Sequence, residues 1–342
     1  MTVSVVIPTY NRAGTVVQAV RSVLAQRYED LELIVVDDGS TDDTARRLAA
    51  IPDGRLRYIS GRHAGVSAAR NLGVRHATGR FLSFLDSDDR WDPDKLAYEV
   101  DVLVGRPEVD AVFSDLEKRH GDEVFPSFMR QTAVFSRRLI GETPGAVHLL
   151  DPRDLRLCLL QEVPIKPSAL TLRRSAFDRV GGFDEAWSSA EDWELLLRLA
   201  HTHRFAYIDR PLAVLHISAD SLHVMDQIRG ETAMIRLLTR ERADLGGDAE
   251  ALAAARRGLV MRVKHFAWHH VERGERSRAC RVFLNGFALT WAPGLLARAL
   301  AVWLPSARQS ISSRPFKRST PAEAGGARDG SDEPLAQMSD HP

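Results

Sequence analysis

Apolar runs and helix-period segments alternate with little slack over the first 115 residues, and that alternation leaves few folds open. Val3 to Ile7 is a continuous apolar run closed by Pro8, the pattern of a strand covered on both faces. Thr15 with Gln18 three residues later reads as a capping box, opening a helix with Val16, Val20, Val23 and Leu24 on one face. Further strands are predicted over Leu31 to Val36, Leu56 to Ser60, Arg80 to Leu85 and Ala111 to Asp115. Between them, helices are predicted over Asp43 to Ala50 with Ser40 as cap, over Gly65 to His76, and from Pro93 to Val104. Pro93 suits a helix start because its missing N–H has no helical partner there. A βαβαβαβαβ order implies a mainly parallel sheet covered by helices.

In such a sheet, ligands gather where the strands end. Three strand exits carry small polar or acidic side chains: Pro8-Thr9-Tyr10-Asn11, Asp37-Asp38-Gly39-Ser40 and Asp86-Ser87-Asp88-Asp89. In the last, the buried run from Phe81 ends in carboxylates around one serine. Asp and Ser also favour turns and N-caps, so each exit alone fits an acidic turn equally well. Together they converge on one crevice. The chain has no GxGxxG after its first strand and no GxxxxGK[ST], which removes the usual dinucleotide and nucleoside-triphosphate fingerprints.

Beyond Leu116 the rhythm weakens. Residues 118–166 read as loop-rich, with a helix from Asp151 to Leu160. Ser168 to Arg173 is strand-like, Val180 to Asp184 a turn, Ala190 to His201 a helix, and Phe205 to Ile208 and Leu212 to His216 two short strands. Met225 to Leu304 is helical, broken at Gly246-Gly247, Gly274 and Pro293-Gly294. From Ser306 onward Ser, Pro, Gly, Ala and charge predict disorder. The organisation read from this is 1–115 and 116–222 as two halves of one α/β domain, 223–305 as a helical region and 306–342 as a disordered tail.

With 44% hydrophobic and 27% charged residues the composition is that of soluble α/β proteins. Cys158 and Cys280 have no CxxC spacing, which argues against a disulfide framework or structural zinc and fits a reducing cytosol. The start lacks the basic and long apolar segments of a signal peptide, and no run approaches a membrane span, so a cytoplasmic location is expected. Net charge is zero, yet between Ala251 and Arg318 there are 13 Lys and Arg against Glu272 and Glu275 alone. The C-terminal part is basic as a block.

The segments VSVVIPTYNR (3–12), VDDGSTDDT (36–44), GVSAARNLG (65–73) and DSD (86–88) resemble, in order and spacing, the family 2 glycosyltransferases of GT-A fold. Arg173-Arg174, GGFDE (181–185) and EDW (191–193) are similar to the same family's acceptor half, so the resemblance spans about residues 3 to 220. It implies a GT-A domain, with a Rossmann-like mainly parallel sheet and a C-terminal helical extension. It also implies a nucleotide-sugar-binding half over 1–115 and an acceptor-binding half over 116–222. The activity implied is inverting transfer of one sugar from a nucleotide-diphosphate sugar, uridine-linked, to a hydroxyl of a glycan or lipid-linked glycan in cell-surface polysaccharide or glycoconjugate synthesis.

The leaving diphosphate gathers negative charge that a divalent cation neutralises, and hard Mn²⁺ or Mg²⁺ prefers the oxygen ligands of an Asp-x-Asp exit. By the resemblance, Asp88 holds the metal, Asp86 lies near the ribose or the metal's water shell, and Ser87 belongs to the donor site. Asp38 reads the nucleobase, Pro8, Thr9 and Tyr10 form its wall, and Arg70 completes the pocket. Asp192 is the base that takes the acceptor's proton, with Glu191 beside it to orient the acceptor. His216 reaches the metal or the diphosphate, although its pattern here is His-Ile-Ser-Ala-Asp-Ser rather than His-x-x-Ser-x-Ser.

A processive synthase of the family would carry Gln-x-x-Arg-Trp and membrane spans, and this chain has neither. Two other readings stay open, a catalytically silent nucleotide-sugar-binding or scaffold protein and a nucleotidyltransferase, though the latter's glycine-rich first loop is missing. In the C-terminal helices Phe266, Trp268, Trp291 and Trp303 interleave with Arg262, Lys264, Arg281 and Arg298. That pattern fits ordinary packing, or peripheral contact with the inner face of an anionic membrane. No nucleic-acid module is recognisable.

Overall fold

In the computed structural model, which describes residues 1–141, 145–217 and 227–304, the strands form one ten-stranded sheet. The strands are β1 (Val3–Thr9), β2 (Leu31–Asp37), β3 (Leu56–Ser60), β4 (Phe81–Phe84), β5 (Arg90–Trp91), β6 (Ala111–His120), β7 (Glu123–Phe125), β8 (Val147–Leu149), β9 (Leu170–Arg173) and β10 (Phe205–Ile217). Their spatial order is β3-β2-β1-β4-β9-β6-β10-β5, with β7 on β6 and β8 on β10. β1 to β4 are parallel, as are β6 and β10, so the exits of β1, β2 and β4 share an edge.

β9 departs from the repeated βα rhythm. It runs antiparallel between β4 and β6, with Leu172 opposite both Leu82 and Ala111. The two expected strands over 205–216 are one strand, because the ladder shifts register around Pro211, which has no N–H to give, and then resumes. β6 runs past Asp115 to His120, because its second half pairs with β10 and turns back through Gly121 into β7. The stretch expected to be loop-rich thus holds short regular elements.

Helices cover both faces. On one side α1 (Val16–Leu24) and, after the short α2 (Thr44–Ala49) and α3 (Val66–His76) in chain order, α4 (Lys95–Gly105) bury Val20, Val23, Leu96 and Val100 against Val3, Val5 and Ile7. On the other side α3 is joined by α5 (Phe135–Arg138), α6 (Pro152–Leu159), α7 (Arg174–Val180) and α8 (Glu191–Thr202) over Val6, Leu82 and Phe113. Gly73 lets α3 close on the sheet, since a Cβ there would lie 2.4 Å from Val6 Cγ1. Helices α9 (Gln227–Ala243), α10 (Ala249–Glu272), α11 (Arg276–Thr290) and α12 (Pro293–Ala301) follow, separated at the Gly and Pro breaks expected.

Two expected caps are not made. Thr15 precedes α1 but its side chain makes no capping bond, and α2 starts after Asp43 rather than at Ser40. Ser40 is engaged elsewhere, as its Oγ accepts the Asn11 N–H at 2.8 Å. Ser218, Ser221 and the tail over 306–342 lie outside the described residues.

Candidate active site

The exits of β1 and β2 are laced to one another. The Asp38 N–H donates to the Thr9 carbonyl at 2.8 Å, the Ala13 N–H to Asp42 at 3.0 Å, and the Thr41 N–H to Asn11 at 2.8 Å. Asp37 accepts from the Ser40 N–H and from Tyr58 Oη. Asp38, 6% exposed, receives the N–H groups of Ala64 and Gly65 on separate carboxylate oxygens, both at 2.8 Å. Each oxygen keeps a lone pair for a further donor. Tyr10 is exposed, and its ring lies 4.3 Å from that of His63, which faces the Asp38 carbonyl. Pro8 and Thr9 are buried behind, and Thr9 Oγ1 has no hydrogen-bond partner among the described residues.

Arg70, expected beside Asp38, points instead to the exit of β4. Its guanidinium binds Asp86 at 2.7 Å and Glu191 at 2.8 Å while remaining 2% exposed. The guanidinium also stacks over Phe183 at 5.1 Å. Side chains from α3, the β4 exit and the head of α8 therefore meet on one buried cation. Burial raises the Glu191 carboxyl above its ordinary range, with Asp192 adding to the rise and Arg70 opposing it. Asp192 accepts the Trp193 N–H at 2.7 Å, which fixes it at the mouth of α8. Acids there face the positive end of the helix. Just before them Ala190 holds a left-handed φ of 62°, a conformation costly for a residue with a Cβ.

Asp89, the last carboxylate of the β4 exit, is 1% exposed and organises it. It accepts from Ser168 Oγ and from the His216 N–H at 3.0 Å, while Ser168 Oγ receives the Asp86 N–H at 3.1 Å. Burial, then the charges of Asp86 and Asp88, push its carboxyl well above the usual range. The His216 ring meets the Asp88 backbone, and burial, then Arg90 and Arg119, lowers its pKa. Its Nδ1 is buried with no hydrogen-bond partner among the described residues. A ring with an open, buried nitrogen beside Asp88 fits a divalent cation. Among the described residues no three acidic, His or Cys side chains converge on an ion site. Ser87 is buried between the two aspartates.

Several supporting residues gave no sequence signal, because their partners are distant in the chain. Asn71, next to Arg70, bonds the Phe183 carbonyl and N–H and so pins the Gly182-Phe183 turn. Trp187 is covered by Arg236 and Arg240 of α9, each 5.2 Å from its ring, and Arg229 bonds Ser188 at 3.1 Å. α9 thus steadies the loop that ends at Glu191. Only the paired motifs AARN and GGFDE, in hindsight, hinted that these turns belong together.

Comparison with known proteins places this arrangement. The chain is 30% identical over 139 residues to the UDP-Glc:alpha-D-GlcNAc-diphosphoundecaprenol beta-1,3-glucosyltransferase WfgD of Escherichia coli, 40% of this chain and 54% of that protein. It is 47% identical over 95 residues to the succinoglycan biosynthesis protein ExoO of Rhizobium meliloti, 28% of this chain and 27% of that one. A Rickettsia conorii glycosyltransferase matches at 29% over 237 residues, 69% of this chain but 36% of its own length. The chain therefore spans only about a quarter to a half of these curated relatives. Among solved structures, S. aureus TarS 1–349 in complex with UDP-GlcNAc superposes with a TM-score of 0.63 at 18% identity, over 92% of this chain and 91% of that one. The mannosyltransferase PcManGT of Pyrobaculum calidifontis, in complex with GDP-Man and Mn²⁺, gives a TM-score of 0.56 at 24% identity, over 90% and 84%. Both likenesses establish the GT-A fold. A second profile, glycosyltransferase like family 2, matches residues 158–249. The profile of glycosyl transferase family 2 spans residues 4–180, more than half of the chain, and with the fold it makes this protein a member of that family.

Proposed function

We propose that the protein moves a single sugar from a nucleotide-diphosphate sugar, uridine-linked, to a hydroxyl of a glycan or lipid-linked glycan by inverting displacement, in cell-surface polysaccharide or glycoconjugate synthesis. The observation that carries this reading is the Arg70 clasp, which ties the Asp86 exit to the Glu191-Asp192 pair. Relatives named for transfer to diphosphoundecaprenol-linked sugars and for succinoglycan synthesis support the acceptor class.

In this reading residues 1–115 hold the donor and 116–222 the acceptor. The nucleobase lies against Tyr10 and Pro8, with Thr9 Oγ1 and the spare lone pairs of Asp38 as its polar contacts. Asp86 and Ser87 face the ribose and diphosphate. Asp88 and His216 would hold Mn²⁺ or Mg²⁺, which supplies charge neutralisation for the departing diphosphate. Asp192 takes the proton from the attacking hydroxyl, and Glu191, held by Arg70, orients the acceptor. No described helix is long and apolar enough to cross a membrane. The reading carries a cytoplasmic location, with the basic C-terminal helices touching the inner face of the membrane.

The test is a panel of UDP-glucose, UDP-GlcNAc and GDP-mannose, scored for Mn²⁺-dependent hydrolysis and thermal stabilisation. A rise in Tm with one donor and turnover abolished by EDTA are expected. Absence of any binding would sink the proposal at its first step.

A further inference from the structure

Exposed tryptophan is confined to one end of the described chain. Trp291 is 69% exposed and Trp303 55%, whereas Trp91, Trp187 and Trp193 are buried. Leu284, Leu296, Leu300 and Leu304 are exposed in the same 21-residue stretch. Apart from Arg298, helix α12 carries only apolar side chains and one glycine. Leu295, Ala299 and Val302 are buried in the cluster that includes Phe283 of α11, which leaves Leu296 and Leu300 turned outward. A helix apolar all round is normally buried, and an exposed patch rich in Trp and Leu marks an interaction surface. At nine residues α12 is far too short to span a bilayer.

Charge identifies what the patch meets. From Arg276 to Arg318 the sequence holds eight Lys and Arg, namely Arg276, Arg278, Arg281, Arg298, Arg308, Arg314, Lys317 and Arg318, and no acid. A second copy of this face would bring like charges together. An anionic bilayer satisfies both features, since Trp favours the headgroup boundary and Arg and Lys are drawn to lipid phosphates.

We infer that the face formed by Trp291, Leu296, Leu300, Trp303 and Leu304 docks in the plane of an anionic lipid surface, with Arg298 of the same helix meeting the headgroups. This narrows the membrane contact proposed above to one face and one lipid class. It is read without any sugar transfer, so its failure leaves the catalytic proposal standing.

The full chain is sedimented with vesicles of phosphatidylcholine alone, or with phosphatidylglycerol as the minor component. The expected result is binding only to the phosphatidylglycerol vesicles, weakened by salt, with a blue shift of tryptophan emission. L300S/W303S, and separately W291S, should each lower the vesicle affinity about tenfold or more with unchanged circular dichroism. Two variants keep the test decisive if one fails to fold. Lack of binding to anionic vesicles, or undiminished binding by both variants, overturns the inference. A dimer lost in L300S/W303S without vesicle binding overturns it in favour of a second copy. Binding that appears only in D329N/D332N/E333Q overturns it in favour of the chain's own acidic tail.

Discussion

The edge at β1 and β2 and the crevice at β4 and α8 are both lined with aspartates, but their charges are used differently. At the first, Asp37, Asp38 and Asp42 accept N–H and O–H groups from within about thirty residues, so the edge is stitched by hydrogen bonds to uncharged donors. At the second, Asp86 and Glu191 are held by one buried guanidinium, across 16 and 121 residues of chain. The stitched edge is a stiff platform that still has lone pairs to offer. The crevice is a balance of opposite charges in low dielectric, where losing one member leaves another uncompensated. Substitutions in the crevice should therefore register in turnover, with a stability loss as well where the buried guanidinium is removed, and those at the edge in stability and donor affinity.

Asp192→Asn should lower turnover about 10²- to 10⁴-fold with an unchanged Tm, as expected on removing a general base. Unaltered donor hydrolysis and transfer would remove Asp192 from the mechanism. Arg70→Met leaves the acids of the crevice facing one another and should cost about 3 kcal/mol in chemical denaturation along with nearly all activity. A fully active and stable variant would mean the clasp is ornamental. Asp38→Ala strips acceptors from the Ala64 and Gly65 N–H groups, for about 2 kcal/mol, together with weaker donor binding by calorimetry. Ser40→Ala, which frees only the Asn11 N–H, should cost under about 1 kcal/mol and leave turnover intact. If Ser40→Ala were instead the more damaging at turnover, the division between platform and crevice would be wrong.

The sequence disclosed features governed by local rules. The strand exits at Pro8, Asp37 and Asp86, the turn at Gly181-Gly182 and the helix breaks at Gly274 and Pro293 all stand where composition and periodicity put them. Strand direction was not legible, because an apolar run such as Leu170–Arg173 has the same pattern parallel or antiparallel. Charge partners were also hidden. Lys95 and Glu99 stand i,i+4 on α4 and are both fully buried, 2.6 Å apart, with Thr171 of β9 donating to Glu99. The resemblance assigns Arg70 to the donor pocket, but only the three-dimensional positions of Asp86 and Glu191 show which carboxylates its guanidinium meets. The partners of Asp89 are far along the chain, Ser168 in the short 3₁₀ turn Pro167–Ala169 and His216 in β10, so its place in an acidic turn motif does not reveal them.

The central claim is that the two regions hold one donor between them. A crystal structure of the full chain with UDP-GlcNAc and Mn²⁺ tests it most directly. The account predicts the base stacked by Tyr10 above Asp38, the diphosphate at Asp88 and His216, and the anomeric carbon open to a hydroxyl held by Asp192. A donor bound away from the β1 and β2 exits, or one whose anomeric carbon is turned from Asp192, would contradict it.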